Sequence, residues 1–158
     1  MRFTLVDRIV DVVPGESITA TKSLTLNEDY LKDHFPRFAV MPGVLMLEAM
    51  NQTAAWLIRI SEDFAHSMVL MTEARNVKFT DFVTPGQTLD LTAEIRKQDD
   101  RSTWLNCEGK LEGNSAVKAR LVMERFNLAQ EHDESYGVVD ANVIQKLRRK
   151  HELLCRRS

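Results

Sequence analysis

One long segment in the first half of the chain is hydrophobic at most of its positions. Residues 44–60 contain neither glycine nor proline, and their main polar interruption consists of Glu48, Asn51 and Gln52. The length of the segment predicts a helix that starts near Pro42, and a helix that is apolar on most faces is normally buried. The three polar residues are three and four positions apart, so they share one stripe of this helix.

Shorter segments with the character of strands lie on either side of the helix. Residues 89–97 alternate well between apolar and polar positions. Turn signals such as Pro14-Gly15 separate these segments. Strands joined by short turns around one buried helix predict an α+β fold, in which an antiparallel sheet wraps around a long central helix. The predicted strands are residues 17–26, 68–79, 89–97, 104–111 and 116–126.

The last part of the chain differs from the rest in composition. Residues 130–137 are polar and predict a linker, and residues 141–155 predict a helix with Asp140 as its cap. We therefore predict two units, a main domain over residues 1–127 and a polar linker with a basic C-terminal helix over residues 128–158.

Charge supports this division of the chain. The protein has 158 residues and a formal net charge of −2, so its overall charge gives no reason to expect nucleic-acid binding. Residues 145–158 hold six basic residues and one acidic residue, and thus carry +5 against −7 for the remainder. Long apolar runs of membrane-spanning length (about 18 residues) are absent from the sequence, and charge near the N-terminus argues against a secretory signal.

The cysteines and histidines predict neither a disulfide framework nor a metal site. Cys107 and Cys155 are far apart, and the four histidines show no metal-ligand spacing. We interpret both cysteines as free thiols in a reducing cytoplasm.

A histidine and a carboxylate lie on either side of the predicted helix start. His34 precedes Pro42 and Gly43, and Glu48 follows inside the apolar helix. A buried carboxyl group can keep a proton near neutral pH, so such a pair can remove one proton and donate another, as dehydration requires. Free N–H groups at the helix start can bind an oxygen that becomes negative during the reaction, and glycine allows a ligand to approach closely.

Residues 34–52, HFPRFAVMPGVLMLEAMNQ, resemble the signature of the 3-hydroxyacyl-acyl carrier protein dehydratases of fatty-acid synthesis, which have the hot-dog fold. The similarity continues in residues 5–9, 76–79 and 83–86, and it covers approximately residues 3–126.

The resemblance implies a role for each residue of the motif. His34 would take the C2 proton of a 3-hydroxyacyl thioester, Glu48 would help to protonate the departing hydroxyl, and the Gly43 amide would polarise the thioester carbonyl. Glutamate at position 48, where related dehydratase/isomerases carry aspartate, favours plain dehydration. Further substrate-binding residues implied by the motif are Val44, Gln52, Phe35 and Arg37.

The resemblance also implies the partners of the protein. The substrate would arrive as a thioester of acyl carrier protein or of coenzyme A, and no cofactor or metal would be required. Members of the family form homodimers with active sites shared between subunits, and a trimer of dimers is common. No contact with a membrane or a nucleic acid is expected.

Several positions depart from the family pattern. Arg37 and Ala39 stand where glycine and proline are usual, and Asn51 replaces a small residue. Thr80, Asp81 and Phe82 stand where two basic residues and a proline are often found, which puts in doubt the family's way of docking an acidic carrier protein. The altered loop suggests a specialised member of the family with a different acyl chain.

Two alternatives to the dehydratase remain open. In a hot-dog thioesterase a carboxylate activates water against the thioester carbonyl, and the His-Phe-Pro sequence speaks against that reading. A non-catalytic acyl-binding or assembly protein would fit if Arg37 and Asn51 paired with Glu48 and held it ionised.

Overall fold

A computed structural model describes residues 3–156 of the protein, and it shows one helix lying along one face of an antiparallel sheet. The helix, α1, spans Gly43–Ser61 and packs on β2, β3, β4, β5 and β6. Neighbouring strands follow the order β1-β2-β4-β5-β6-β3. The strands are β1 (Arg8–Val13), β2 (Ser17–Ser23), β3 (Met68–Phe79), β4 (Thr88–Gln98), β5 (Ser102–Leu111) and β6 (Asn114–Phe126).

The observed elements follow from the apolar pattern of the sequence. The helix predicted over residues 44–60 is confirmed, and Pro42 is its N-cap. Leu89, Leu91 and Ala93 of β4 are fully buried, as the alternation in that segment predicts. β2 ends at Ser23, before the predicted residue 26, and the main chain of Leu24 bonds to Gly86 and Gln87 in the turn that precedes β4.

The first turns of α1 are less buried than the sequence predicts. Val44 is 69% exposed, whereas Ala54, Leu57 and Ile58 in the second half of the helix are fully covered by the sheet. The apolar side chains at the start of the helix therefore remain available for contact with another surface in the single chain.

β3 forms one edge of the sheet and bonds to β6 on one side. Its register shifts between Arg75 and Lys78, and Asn76 at this β-bulge has a φ of +52°. Asparagine tolerates this left-handed conformation better than most residues. The strand is 12 residues long, so its free edge offers a long row of backbone groups to a partner.

The C-terminal segment folds into a short helix, a 3-10 turn and a long helix. These are α2 (Leu128–Glu131), Glu134–Tyr136 and α3 (Gly137–Cys155). The prediction that Asp140 caps the long helix is wrong, because α3 starts three residues earlier. Arg157, one of the basic residues of the tail, lies outside the described residues.

Asp140 joins this segment to the main domain instead. Its buried carboxylate accepts hydrogen bonds from the Ser67 hydroxyl and from the N–H groups of Leu128 and Ala129. Burial raises the pKa of Asp140, but these hydrogen bonds outweigh burial and hold the pKa below its ordinary value. The carboxylate thus fixes the start of α2 and of α3 to the end of the sheet.

The other end of α3 packs on the C-terminal part of α1. Leu154 belongs to the hydrophobic core. The His151 ring stacks on Trp56 at 6.1 Å between centroids and lies 5.5 Å from the Phe64 ring. Burial lowers the pKa of His151, so its neutral form is favoured in this contact.

Two further expectations can be compared with the described residues. Cys107 and Cys155 are both free thiols, as predicted. Between residues 3 and 156, no helix is long and apolar enough to cross a membrane.

We predict that Asp140→Ala lowers the free energy of unfolding by about 2 kcal/mol, because one buried and two partly buried donors lose their acceptor. Urea unfolding at neutral pH measures this difference. The contribution of a carboxylate whose folded-state pKa is lowered is present above its unfolded pKa and is lost as the pH falls through the folded value. The two proteins should therefore converge in acid.

Asp133→Ala is the matched control, because Asp133 is exposed and accepts a bond from Ser135 within its own turn. Equal stability of Asp140→Ala and the wild type at neutral pH would show that Asp140 does not anchor the C-terminal segment.

Candidate active site

His34 lies in a loop that follows a 3-10 turn at Asp29–Leu31. Its N–H donates to the Tyr30 carbonyl at 3.2 Å, and its partly buried ring lies 4.5 Å from the Phe35 ring. Phe35 has a φ of +48°, and its carbonyl accepts from the Phe38 N–H at 2.8 Å. This local turn directs the chain back toward the start of α1.

The other end of this loop is tied to the segment after β3. The Met41 N–H donates to the Val83 carbonyl at 2.9 Å. The Phe38 and Phe82 rings meet edge to face at 5.9 Å. Phe82, one of the departures from the family pattern, thereby holds the loop that carries His34.

The side chain of Tyr30, in the 3-10 turn that precedes His34, carries a phenol hydroxyl. Burial, with the nearby carboxylates of Glu28 and Asp7, raises the pKa of the Tyr30 phenol well above its ordinary value. Its hydroxyl is buried and has no hydrogen-bond partner within the described residues. The phenol therefore stays protonated at any physiological pH.

The start of α1 presents unpaired N–H groups. The Pro42 carbonyl accepts from Leu45 and Met46, whereas the N–H groups of Gly43 and Val44 find no acceptor in the described part of the chain. These two groups point out of the positive end of the helix, where they can bind an oxygen that carries partial negative charge.

Gly43 also lies close to an aromatic ring of the sheet. A Cβ at this position would lie 3.1 Å from the ring of Phe79 at the end of β3. The ring is half exposed, so it could shift slightly to make room for a Cβ. The main effect of the contact is that the ring limits the space above the helix start. Sequence reasoning did not identify Phe79 as a site residue, because its contact with Gly43 exists only in the folded chain.

Glu48 is a half-buried carboxylate held by two amides on its own helix. Asn51 donates to one oxygen and Gln52 to the other, both at 2.9 Å. The stripe of polar residues predicted from their spacing is therefore confirmed as a bonded group.

Gln52 connects this carboxylate to the N-terminal segment. Its side-chain oxygen accepts from the Leu5 N–H at 2.9 Å, and its nitrogen also donates to the Phe3 carbonyl at 3.0 Å. The Leu5 bond fixes which end of the amide carries the oxygen, so the nitrogen must face Glu48. Phe3 and Leu5 were not predicted, since main-chain contacts leave no sequence signal.

Asn51 is less completely bonded. Its side-chain oxygen is buried and has no partner in residues 3–156. The hydrogen bond from the Asn51 nitrogen supports the hypothesis that Asn51 pairs with Glu48. Arg37, in contrast, is exposed and forms no hydrogen bond or ion pair with any described residue. A pair of amide donors suits a carboxylate, which accepts hydrogen bonds only.

The predicted residues form two groups in the single chain. Gly43, Val44, Glu48 and Gln52 share the first turns of α1, and His34 lies with its neighbours Phe35 and Arg37 on the preceding loop. Within the described chain no hydrogen bond or ion pair joins His34 to Glu48. Apolar surface lies open around both groups, including Phe35 (60% exposed) and Val44.

Residues 3–156 contain no cluster of three or more His, Cys, Asp or Glu side chains that could hold a metal ion. The candidate site itself presents a histidine, a carboxyl group and backbone N–H donors.

Comparison with known proteins finds a family model and relatives that match most of this chain. The model of the FabA-like domain matches residues 1–120. The 3-hydroxyacyl-acyl-carrier-protein dehydratase FabZ of Lactobacillus helveticus is 37% identical over 115 residues, which cover 73% of this chain and 78% of the relative. The corresponding enzyme of Lactococcus lactis subsp. cremoris (strain MG1363) is 38% identical over 119 residues, or 75% of this chain and 82% of the relative.

Solved structures support the fold. The dehydratase heterocomplex ApeI:P of Xenorhabdus doucetiae aligns with a TM-score of 0.66 at 19% identity, covering 80% of this chain and 85% of the other. A thioesterase of Pseudomonas aeruginosa aligns with a TM-score of 0.60 at 15% identity, covering 75% and 80%. The predicted hot-dog architecture is confirmed, and at these identities the similarity concerns the fold alone.

We predict that Gln52→Leu lowers the free energy of unfolding by about 2 kcal/mol, because the Leu5 N–H and the Phe3 carbonyl lose their partner. Thermal and urea unfolding measure the change. Asn51→Leu is the matched control, since its amide bonds only to Glu48 among the described residues. If both variants were equally stable, the bonds of Gln52 to the N-terminal segment would contribute nothing measurable.

Proposed function

Because the chain belongs to the FabA-like family, we propose that it removes water from a 3-hydroxyacyl thioester to give the trans-2-enoyl thioester in the biosynthesis of fatty acids or related acyl chains. The observation that carries this proposal is the set formed by His34, the free N–H groups at Gly43 and Val44, and the oriented carboxyl group of Glu48. The relatives named as 3-hydroxyacyl-acyl-carrier-protein dehydratases support the same reaction.

Each group has one task in this reaction. The imidazole of His34 takes the C2 proton, and the electron pair of that bond forms the C2–C3 double bond. The N–H groups of Gly43 and Val44 bind the thioester oxygen while it carries negative charge. Glu48, in its protonated form, gives a proton to the 3-hydroxyl, which leaves as water when the C3–O bond breaks.

The site is completed by a second copy of the chain. His34 and Glu48 form no bond within one chain, and the start of α1 leaves apolar side chains exposed. The free edge of β3 can pair with the same strand of a partner, which would extend the sheet across a two-fold axis. In this homodimer, His34 of one subunit faces Glu48 of the partner subunit, and a trimer of such dimers is the larger assembly.

The acyl chain lies against the open apolar surface around the two groups. Phe35 and Val44 are exposed in the single chain and provide apolar contacts for it. Arg37, exposed on the histidine loop, adds charge and bulk there and fits a specialised acyl chain. The acyl group is delivered on acyl carrier protein or coenzyme A, in the cytoplasm.

The same interpretation divides the chain into residues 1–127, which carry the reaction, and residues 128–158, a polar linker with a basic helix outside the family match. The family model ends at residue 120, which is close to this boundary. Asp140 and His151 hold the second unit against the first.

A second candidate, a non-catalytic acyl-binding protein, is favoured by one observation. Asn51 and Gln52 both donate to Glu48, and this arrangement suits a carboxylate that has no proton to give. Such a protein would bind acyl thioesters and release no product.

We expect His34→Ala and Glu48→Gln each to reduce turnover of 3-hydroxyacyl thioesters by a factor on the order of 100 or more, because each removes a proton-transfer group. Mass spectrometry identifies the product, and circular dichroism checks that the fold is retained. Free acid as the product would identify a thioesterase. Binding of the thioester without any product from the wild type would identify the non-catalytic protein.

The shared site predicts complementation between these two inactive variants. After subunits of His34→Ala and Glu48→Gln are mixed and exchanged, half of the dimers are mixed and one of their two sites has both native groups, so activity should return to about a quarter of the wild-type value. Each variant mixed with itself is the control. No recovery, with exchange shown by mass spectrometry, would place both groups of each site in the same subunit.

A further inference from the structure

A groove of about 620 Å³ runs along the outer face of the sheet, away from α1. A smaller groove of about 320 Å³ adjoins it, and Asn76, Asn106 and Arg120 line both. These volumes lie within the usual range of small-molecule sites. None of the residues predicted for the active site lines either groove.

Cationic residues lie next to one another on the neighbouring strands β3 and β6 along these grooves. In the pairing of β3 with β6, Lys78 lies directly opposite Lys118, and Arg75 lies directly opposite Arg120. Like charges directly opposite each other destabilise a sheet. The presence of two such pairs close together on β3 and β6 is therefore not explained by a contribution to the stability of the sheet.

Nearby carboxylates compensate only part of this charge. Lys118 forms an ion pair with Glu108 at 3.1 Å, and Arg75 pairs with Glu73 on its own strand. Glu94 also lines the groove, and its carboxylate lies 3.9 Å from Arg96. Lys78 and Arg120, in contrast, form no ion pair or hydrogen bond with any residue that the structure describes. The groove thus keeps two exposed cations that can bind an anion.

The bulge in β3 adds neutral hydrogen-bonding groups to the same place. Asn76 lies at this bulge with its positive φ and lines both grooves. Asn106 of β5 also lines both grooves, and it lies directly opposite Arg120 of β6. Bulges are frequent beside functional sites, where they change the direction of a side chain. Amide donors between cations are suitable partners for phosphate oxygens.

The groove adjoins the candidate active site at the end of β3. Lys78 precedes Phe79, and successive side chains of a strand point to opposite faces. Lys78 therefore points into the groove, while the Phe79 ring packs beside Gly43 on the inner face. A flexible ligand that crosses the end of β3 can reach from one site to the other.

We propose that this groove binds the phosphate-bearing part of the thioester substrate, with Lys78 and Arg120 as the anion-binding residues. The inference rests on the proposed dehydration of a thioester. Acyl carrier protein and coenzyme A both present the acyl group on a phosphorylated pantetheine arm, so this phosphate is the chemistry that the two substrates share. Binding of the phosphate outside the sheet would direct the acyl end toward Gly43.

The test compares one 3-hydroxyacyl group on three thiols, namely acyl carrier protein, coenzyme A and N-acetylcysteamine, which has no phosphate. In the double variant Lys78→Gln/Arg120→Gln we expect KM for a phosphate-bearing substrate to rise about tenfold with kcat retained, because charge-assisted bonds are lost. Turnover of the N-acetylcysteamine thioester should be unchanged.

Lys146→Gln/Arg149→Gln on α3 is the matched control, because it removes the same charge from exposed residues that do not line the grooves. A rise in KM for the carrier-linked substrate alone would identify the carrier-protein arm as the occupant, and a rise for coenzyme A alone would identify coenzyme A. Unchanged KM for both substrates, or an equal loss with N-acetylcysteamine, would overturn the proposal.

A binding measurement separates this proposal from the proposed reaction. Isothermal titration of coenzyme A and of phosphopantetheine-bearing carrier protein into the wild type and the groove variant needs no turnover. Weaker binding by the groove variant supports the site even if no water is lost from any substrate. Equal binding by both proteins would refute the site even if the dehydratase activity were established.

Discussion

Glu48 can occupy a largely buried helix because two amide side chains, one turn further along, donate to its oxygens. The rest of the site depends on this group of three residues. Gln52 also binds the main chain at Phe3 and Leu5, so the N-terminal segment is fixed by the same side chain that orients the carboxyl group. A carboxylate without these bonds would weaken the contact of α1 with the sheet, since an unpaired buried charge is costly.

Much of the fold can be predicted from local patterns of apolar and polar residues. The alternation of Leu89, Leu91 and Ala93 predicted a strand with one buried face, and the structure confirms it. The long apolar run predicted α1 within one residue at each end. β1 was not predicted as a strand, because its apolar residues come in pairs without clear alternation. Asp140 was mistaken for a cap, because its partners Ser67 and Leu128 are distant in the sequence or belong to another element.

The residue types of the candidate site could be predicted from the sequence, but many of the contacts that position these residues could not. The order of His34, Gly43 and Glu48 could be recognised from the motif, and their roles remain proposals. The contact of Phe79 with Gly43 and the bonds of Gln52 to the main chain come from tertiary packing, which spacing does not encode. Asn51 is intermediate: its spacing predicted the bond to Glu48, but not the unpaired buried oxygen on the same amide.

β3 connects three surfaces: the candidate active site, the outer groove and the free edge of the sheet. Its inner side chains support the start of α1 through Phe79, its outer side chains carry the cations of the groove, and its free edge is available to a partner chain. Because side chains alternate along a strand, a small change in the register of β3 would move all three surfaces together. Two irregularities, between Met71 and Glu73 and at Asn76, shift this register along the strand. The position of Lys78 relative to Gly43 thus follows from the backbone of β3, because the adjacent Phe79 packs beside Gly43.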